Sequence, residues 1–509
     1  MPYGGAAAAR RRRDLSDLRD RAALRRCAGQ GLHRGVPGRL HLRGQPDALH
    51  TPGRVRRLRR LRAGLPRRGD LLRRRHAGAV EGRLLQGQRG VFRRPRLPRW
   101  RRQGGEDRQG SPDRRSAPPA GGGGAALTSG RHDDAPPTPP GWAARPVSGR
   151  LPAFPWDRLA PYAATARAHP DGIVDLSMGT PVDPVPDIVR RALADASDTP
   201  GYPLTYGTPA LRDAVAAWFA RRRGVPDLDP QAVLPTVGSK ELVAWLPTLL
   251  GCGPGDVVVH PAIAYPTYDV GARLAGADAL AVDALTAVGP ARVPLVWVNS
   301  PSNPTGRVLP VEHLRKVVAW ARTRGAVVAS DECYAELGWD VDPPSILHPD
   351  VCAGSHDNLL CVSSLSKRSN LAGYRAAFVA GDAALVRELL EVRKHAGMIV
   401  PTPVQAAMVA ALSDDDHVEE QRARYAARRK VLLAALAEAG LRVEHSAAGL
   451  YLWATRDQPC WDTVGWLADL GVLVAPGEFY GPAGVRHVRV ALTATDERVA
   501  AAAARLGDA

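Results

Sequence analysis

The residues that could do chemistry lie in three short polar clusters. In SSLSKRSNLAGYR, residues 363–375, Lys367 follows small hydroxyl residues and Arg375 lies eight positions later. A lysine amine deprotonated by its surroundings can attack a carbonyl to form a Schiff base, and a nearby arginine can clamp a phosphate. In SDECYAEL, Asp331 precedes Tyr334 by three residues; a carboxylate so placed can keep a pyridinium nitrogen protonated, so that the ring acts as an electron sink. In NSPSNPTGRVL, Asn303 opens Asn-Pro-Thr-Gly and can donate to a phenolic oxygen. Taken alone, each cluster has an ordinary reading as well: a solvated lysine, a helix cap beside a core tyrosine, a bare turn.

The elements that must hold these clusters are legible around them. DVVVH (256–260), VPLVWVNS (293–300), AVVASDE (326–332), NLLCVSS (358–364) and AAFVAG (376–381) are short runs rich in β-branched residues and read as buried strands. PALRDAVAAWFARRRG and VEHLRKVVAWARTRG have helical spacing and end in Arg then Gly, a stop signal. The alternation predicts an α/β fold, a mainly parallel sheet with helices on both faces. Ligands of such sheets bind at the carboxyl ends of the strands, where the polar clusters fall.

Composition divides the 509 residues in two. Residues 1–146 hold 35 Arg, no Lys and 11 acidic residues, a balance of +24, whereas residues 147–509 hold 34 basic and 40 acidic residues, a balance of −6. The overall charge of +18 therefore points to no nucleic-acid partner for the longer part. Six cysteines form no CxxC pair, which argues against a disulfide framework or a metal site and fits a cytoplasmic protein. No apolar run is long enough to span a membrane, so no membrane partner is expected.

The Arg/Gly/Pro-rich segment 1–146 shows no periodicity and reads as disordered, a basic arm followed by linker. A second reading accounts for arginine without lysine: a GC-rich gene translated out of frame. Leu24, Leu32, Val36-Pro37 and Leu40, then Val55, Leu58, Leu61 and Leu65-Pro66, stand where a shifted frame would encode C-x7-C-x3-C-P-x2-C and C-x2-C-x2-C-x3-C-P. The second is an iron–sulfur spacing, and the segment resembles a seven-iron ferredoxin gene read in the wrong frame. On that reading Val147 is the true initiator.

The ordered set S-x-S-K, D-x-x-Y and N-P-T-G, with the later arginines, makes residues 147–509 resemble the class I/II aminotransferases, fold type I pyridoxal-phosphate enzymes. The resemblance implies an N-terminal arm and part of a small domain over 147–189. It implies a large cofactor-binding domain with a seven-stranded sheet over 190–395 and a smaller α+β C-terminal domain over 396–509. It implies that Lys367 bonds pyridoxal 5′-phosphate covalently and then moves the substrate proton. Asp331 would pair with the pyridine nitrogen, and Tyr334 and Asn303 would meet the phenolic oxygen. Ser364, Arg375 and the backbone of Gly238-Ser239-Lys240, which opens a helix, would hold the phosphate. Tyr265 in PAIAYPTY would stack on the ring, although two extra residues follow Pro261 there. Tyr202 would reach the phosphate of a second subunit, implying a homodimer with shared sites. Arg489, with Arg486 as its neighbour in VRHVRVALT, would take the substrate α-carboxylate, and Gly179 would let the backbone pass close to the substrate.

Within that family, the opening RLPAFPWDRLAPY…HPDGIVDLSMGTPVDPVP resembles the actinobacterial N-succinyl-LL-diaminopimelate aminotransferases of lysine biosynthesis, in which a ferredoxin gene commonly lies upstream. The expected partners are amino and oxo acids, glutamate with an N-succinylated 6-oxo acid. The same fold also hosts aspartate- or alanine-type aminotransferases and β-lyases. A transcription regulator with a DNA-binding N-terminus is the reading from another class; segment 1–146 shows no helix-turn-helix pattern to support it.

Overall fold

Residues 146–508 are described by a computed structural model. The expectations for the Arg-rich segment lie outside the described residues. Seven strands form the main sheet: β1 (Val233–Val237), β2 (Val257–His260), β3 (Asp278–Ala281), β4 (Leu295–Asn299), β5 (Val327–Asp331), β6 (Leu359–Ser364) and β7 (Ala376–Gly381). Their spatial order is β1-β7-β6-β5-β4-β2-β3. β7 runs antiparallel to both of its neighbours, and the remaining pairings are parallel. Every residue of β4, β5 and β6 is buried, which is why these strands read as continuous apolar runs rather than alternating ones.

Helices cover both faces. Pro209–Arg223 starts on Thr208, whose hydroxyl accepts from the Leu211 N–H at 3.2 Å, and stops at Gly224, which takes the left-handed conformation at φ 64°. Its Trp218 and Phe219 pack edge-on against Phe378 of β7. On the opposite face, Leu242 and Leu246 pack with Tyr268 and Trp297.

A second layer is an antiparallel sheet in the order Ala475–Pro476, Val488–Ala491, Tyr451–Thr455, Arg442–Glu444. Its apolar core also takes in Leu159, Ala163, Val174 and Leu176, so chain from the start of the described region packs with chain from its end.

Register sets where the chemistry falls. Asn299 of β4 stands beside Asp331 of β5, and Asp331 stands beside Val362 of β6, two residues short of Ser364. Three polar strand ends therefore form one edge. The chain that crosses this edge is tied down by Asp183, which accepts from both Nη atoms of Arg428 at 2.7 and 2.8 Å and from Gln421 at 2.8 Å. Asn370, three residues after Lys367, donates to the Pro184 carbonyl and to Gln421. Burial raises the Asp183 carboxyl, but the hydrogen bonds from Arg428 and Gln421 outweigh it and hold the group below the usual carboxylate range.

A carboxyl depressed in the folded state stabilises above its unfolded pKa, and that contribution is lost as pH falls through the folded value. Asp183→Asn is therefore expected to lower unfolding free energy at pH 7 by about 2 kcal/mol, the scale of hydrogen bonds to a charged group, because Arg428 keeps Asp496 as a partner at 2.6 Å. The deficit should shrink in acid as the wild type loses the same interaction. Urea denaturation at both pH values measures it; equal stabilities at pH 7 would contradict the role given to this pair.

Candidate active site

Ser364 ends β6 and caps the turn that carries the lysine: its hydroxyl accepts from the Ser366 N–H at 3.1 Å and donates to the Ser366 hydroxyl at 2.9 Å. The short helix Leu365–Arg368 then aims Lys367 across the strand edge, where its ammonium donates to the Gly179 carbonyl. Burial pushes the Lys367 ammonium below the usual lysine range, and the charges of Arg489 and Arg375 push the same way. Such a lysine has access to its neutral, nucleophilic form.

Asp331 and Glu332 are adjacent and both buried, yet they have opposite fates. Glu332 turns inward and is satisfied by Arg223 at 3.2 Å, by the Ser330 hydroxyl at 3.0 Å and by the Ile346 N–H at 2.7 Å. Asp331 faces the strand edge and meets no cation among the described residues; it accepts from the Tyr268 phenol at 2.9 Å and the Cys333 N–H at 3.2 Å. Burial pushes its carboxyl above the usual carboxylate range against those two donors. Tyr268 is itself fixed by stacking on Trp297 of β4, with centroids 4.9 Å apart.

Arg489 is 4% exposed and no carboxylate among the described residues neutralises it. One Nη donates to the Asn303 carbonyl oxygen at 3.2 Å and the other to the Ser177 carbonyl at 2.5 Å, while Nε has no partner. Its carbon lies 4.0 Å from the Tyr451 ring centre and 5.0 Å from that of Tyr480. Arg486, by contrast, lies exposed and donates to the Asp457 carbonyl, so only Arg489 enters the site. Asn303 is held by its own N–H, which donates to the Asn299 side chain at 2.8 Å. With its oxygen turned to Arg489, its amide NH2 remains as the donor. Tyr334 is buried, with its phenol 3.2 Å from that of Tyr451.

The phosphate end is a cradle of backbone and guanidinium. A Cβ at Gly238 would lie 1.9 Å from a terminal nitrogen of Arg375, so only glycine leaves that space open. Gly238 does not offer its own N–H, which donates to the Thr236 carbonyl at 2.8 Å. The donors left there are those of Ser239 and Lys240 in the first turn of Ser239–Leu249. The Lys240 side chain points elsewhere, its ammonium 6.0 Å from the Phe154 ring centre. Tyr265 is half-buried and meets Tyr268 edge-on at 5.9 Å, and burial pushes its phenol up to about 12. Tyr202 does not join the group: it is 100% exposed.

Gly179 is required by a contact within the chain itself. A Cβ there would lie 2.0 Å from the Tyr451 hydroxyl, so a tyrosine of this chain already requires glycine at 179. Tyr268, Tyr451 and Tyr480 belong to the site and were not singled out in the sequence. Tyr268 alone carried a signal, as the second tyrosine of YPTY.

Comparison with protein families matches residues 171–506 to "Aminotransferase class I and II". The chain belongs to the class I and II aminotransferases. It is 66% identical over 360 residues to a probable aminotransferase of Mycobacterium tuberculosis, covering 71% of this chain and 86% of that one. It is 65% identical over 356 residues to 4-dedimethylamino-4-oxo-anhydrotetracycline transaminase of Streptomyces rimosus, covering 70% of this chain and 99% of that one. Among solved structures, a probable N-succinyldiaminopimelate aminotransferase of Thermus thermophilus superposes with a TM-score of 0.64 at 29% identity, covering 70% of this chain and 100% of that chain. The fold is therefore that of the pyridoxal-phosphate aminotransferases, and the enzyme depends on that cofactor. The donor set fits it: a glycine-opened phosphate cradle, a buried carboxylate awaiting a cation and a buried amine awaiting a carbonyl.

Tyr268→Phe removes a phenol that favours the charged form of Asp331, so the Asp331 carboxyl should rise further. Cofactor retention is expected to weaken about tenfold near neutrality, the scale of one hydrogen bond to a charged group, and to fail at a higher pH than in the wild type. Equilibrium dialysis of the cofactor across pH measures this; an unchanged profile would show that Tyr268 does not tune Asp331.

Proposed function

We propose that this aminotransferase moves an amino group between glutamate and the 6-oxo carbon of an N-succinylated 2-amino-6-oxopimelate, the N-succinyl-LL-diaminopimelate aminotransferase reaction of lysine biosynthesis. The observation that carries amino transfer is the set of three buried ionisable groups without a protein counter-charge. Asp331 and Arg489 match in sign a pyridinium and an α-carboxylate, and Lys367 is the amine that would bond a carbonyl. The acceptor rests on the opening motif 150–186 and on the likeness to the Thermus thermophilus protein.

Bound pyridoxal phosphate supplies an electron sink for the charge left when a Cα proton is removed. This chain's residues do the rest. Arg489 grips the α-carboxylate and so fixes which substituent of Cα faces the lysine. Lys367, whose ammonium burial pushes below the usual lysine range, would take the proton from Cα and hand it back on the same face. Asp331 keeps the pyridine nitrogen protonated, with Tyr268 holding the carboxylate in place. Asn303 and Tyr334 donate to the phenolic oxygen. Ser364, Arg375 and the N–H groups of Ser239 and Lys240 hold the phosphate, and Tyr265 stacks on the ring. Glutamate is consumed and 2-oxoglutarate released before the oxo acid enters, which gives ping-pong kinetics. The full exposure of Tyr202 supports a homodimer in which it completes a partner copy's site. Free Cys252, Cys333, Cys352, Cys361 and Cys460 suit the reducing cytoplasm.

A second acceptor is favoured by one finding, the 65% identity to the Streptomyces rimosus transaminase, whose name specifies a tetracycline ketone. A glutamate-coupled assay comparing the succinylated oxo acid, 4-dedimethylamino-4-oxo-anhydrotetracycline, oxaloacetate and pyruvate separates the readings. The highest kcat/KM is expected on the succinylated acid; a higher value on any comparator replaces the acceptor named here. Arg489→Gln should lower kcat/KM for glutamate by roughly 100-fold, the upper range for one charge-assisted hydrogen-bond partner. A loss under threefold would show that the α-carboxylate binds elsewhere.

A further inference from the structure

We propose that Tyr451 is a positioning residue of this reaction, relaying the state of the substrate-carboxylate arginine to the tyrosine at the cofactor's phenolic oxygen through the chain Arg489, Tyr451, Tyr334. The inference rests on the roles given above to Arg489 and Tyr334. Strand register brings the first two together: Trp453 pairs with Arg489 and Tyr451 with Ala491, so Tyr451 and Arg489 are diagonal neighbours on one face. The guanidinium carbon lies 4.0 Å from the Tyr451 ring centre, close enough for its charge to act on the phenol. At its other end the Tyr451 hydroxyl lies 3.2 Å from that of Tyr334 and fills the space that glycine leaves at position 179. The residue is 4% exposed, so water does not screen the contact.

The two phenols are unequal. Burial raises both, but Arg489 and then Lys367 pull Tyr451 below the ordinary tyrosine range, while Tyr334 stays well above it. The other titratable groups facing Tyr451 are the phenols of Tyr265, Tyr425 and Tyr480. Either hydroxyl can donate across the 3.2 Å contact; with the single Tyr334 proton given to the cofactor's phenolic oxygen, Tyr451 is left as the donor to Tyr334. Tyr334, polarised by that bond, donates more strongly onward. A carboxylate arriving at Arg489 cancels the charge that acidifies Tyr451, weakens the relay and leaves the cofactor's phenolic oxygen more electron-rich. Tyr451 thereby signals an occupied carboxylate site to the cofactor.

The test is a pH titration of the visible absorbance of the holoenzyme, with and without glutarate, a substrate-like dicarboxylate that has no amino group. In the wild type, glutarate is expected to move the midpoint upward. Tyr451→Phe keeps the ring beneath Arg489 and loses only the hydroxyl. Its free-enzyme midpoint should rise by about 0.3–1 pH unit, the scale of one hydrogen bond, and its glutarate-induced shift should fall to half or less. In a Tyr334→Phe background the same change should add nothing. Gly179→Ala, whose methyl would displace the hydroxyl, should move the midpoint in the same direction as Tyr451→Phe. A Tyr451→Phe titration that matches the wild type with and without glutarate overturns the proposal, and so do additive shifts in the double variant. If Tyr334→Phe itself leaves the midpoint unmoved, or glutarate still shifts Arg489→Gln, the site roles fail and the proposal falls with them.

Discussion

Charge buried without a protein partner is the constraint on which the rest of this molecule depends. Lys367, Asp331 and Arg489 meet at one strand edge, each removed from water and none neutralised by a neighbour of opposite sign. Taking an ion out of water costs several kcal/mol even after the surroundings relax. A fold that buries three such ionisable groups within one cleft is shaped for a ligand that satisfies them. Pyridoxal phosphate and an amino acid would bring a pyridinium for Asp331, a carboxylate for Arg489 and a carbonyl for Lys367.

Elsewhere among the described residues most buried charges meet an opposite charge, with Arg505, which donates only to the Gly471 and Asp171 carbonyls, as an exception. Arg223 meets Glu332, Arg393 meets Glu241 through two bonds, and Arg428 meets Asp183 through two. These pairs sit behind and beside the site and hold its walls: the Glu332 pair fixes the residue next to Asp331, and the Arg428 pair fixes the segment that leads away from Gly179. The backbone is arranged to the same end. Parallel β4, β5 and β6 present their carboxyl ends together, and the residues that end them are polar because nothing of the sheet continues beyond.

Much of this was legible in the sequence because it is local. Five of the seven strands announced themselves as apolar runs, and the polar residues that close them named Asn303, Asp331 and Lys367 as a group before their distances were known. Arg489 lies in the strand Val488–Ala491 and is buried, whereas Arg486 lies in the turn before that strand and is exposed. What stayed hidden depends on contacts between distant segments. Tyr268 reaches Asp331 across 63 positions and Tyr451 reaches Tyr334 across 117. The contact that requires glycine at 179 could not be read without knowing where Tyr451 ends. Composition also had to be divided before it meant anything. The basic excess lies in 1–146, and the segment that carries the site has a mildly acidic balance of −6.

Lys367, the lysine whose ammonium burial pushes below its usual range, is proposed to be the one that bonds the cofactor. Borohydride reduction of the holoenzyme followed by peptide mapping tests it directly, because reduction makes the linkage permanent at whichever lysine carries it. The account predicts the cofactor's mass on Lys367 alone. Its appearance on Lys240, whose ammonium lies against Phe154 at the end of the phosphate cradle, or on no lysine at all, would contradict the account.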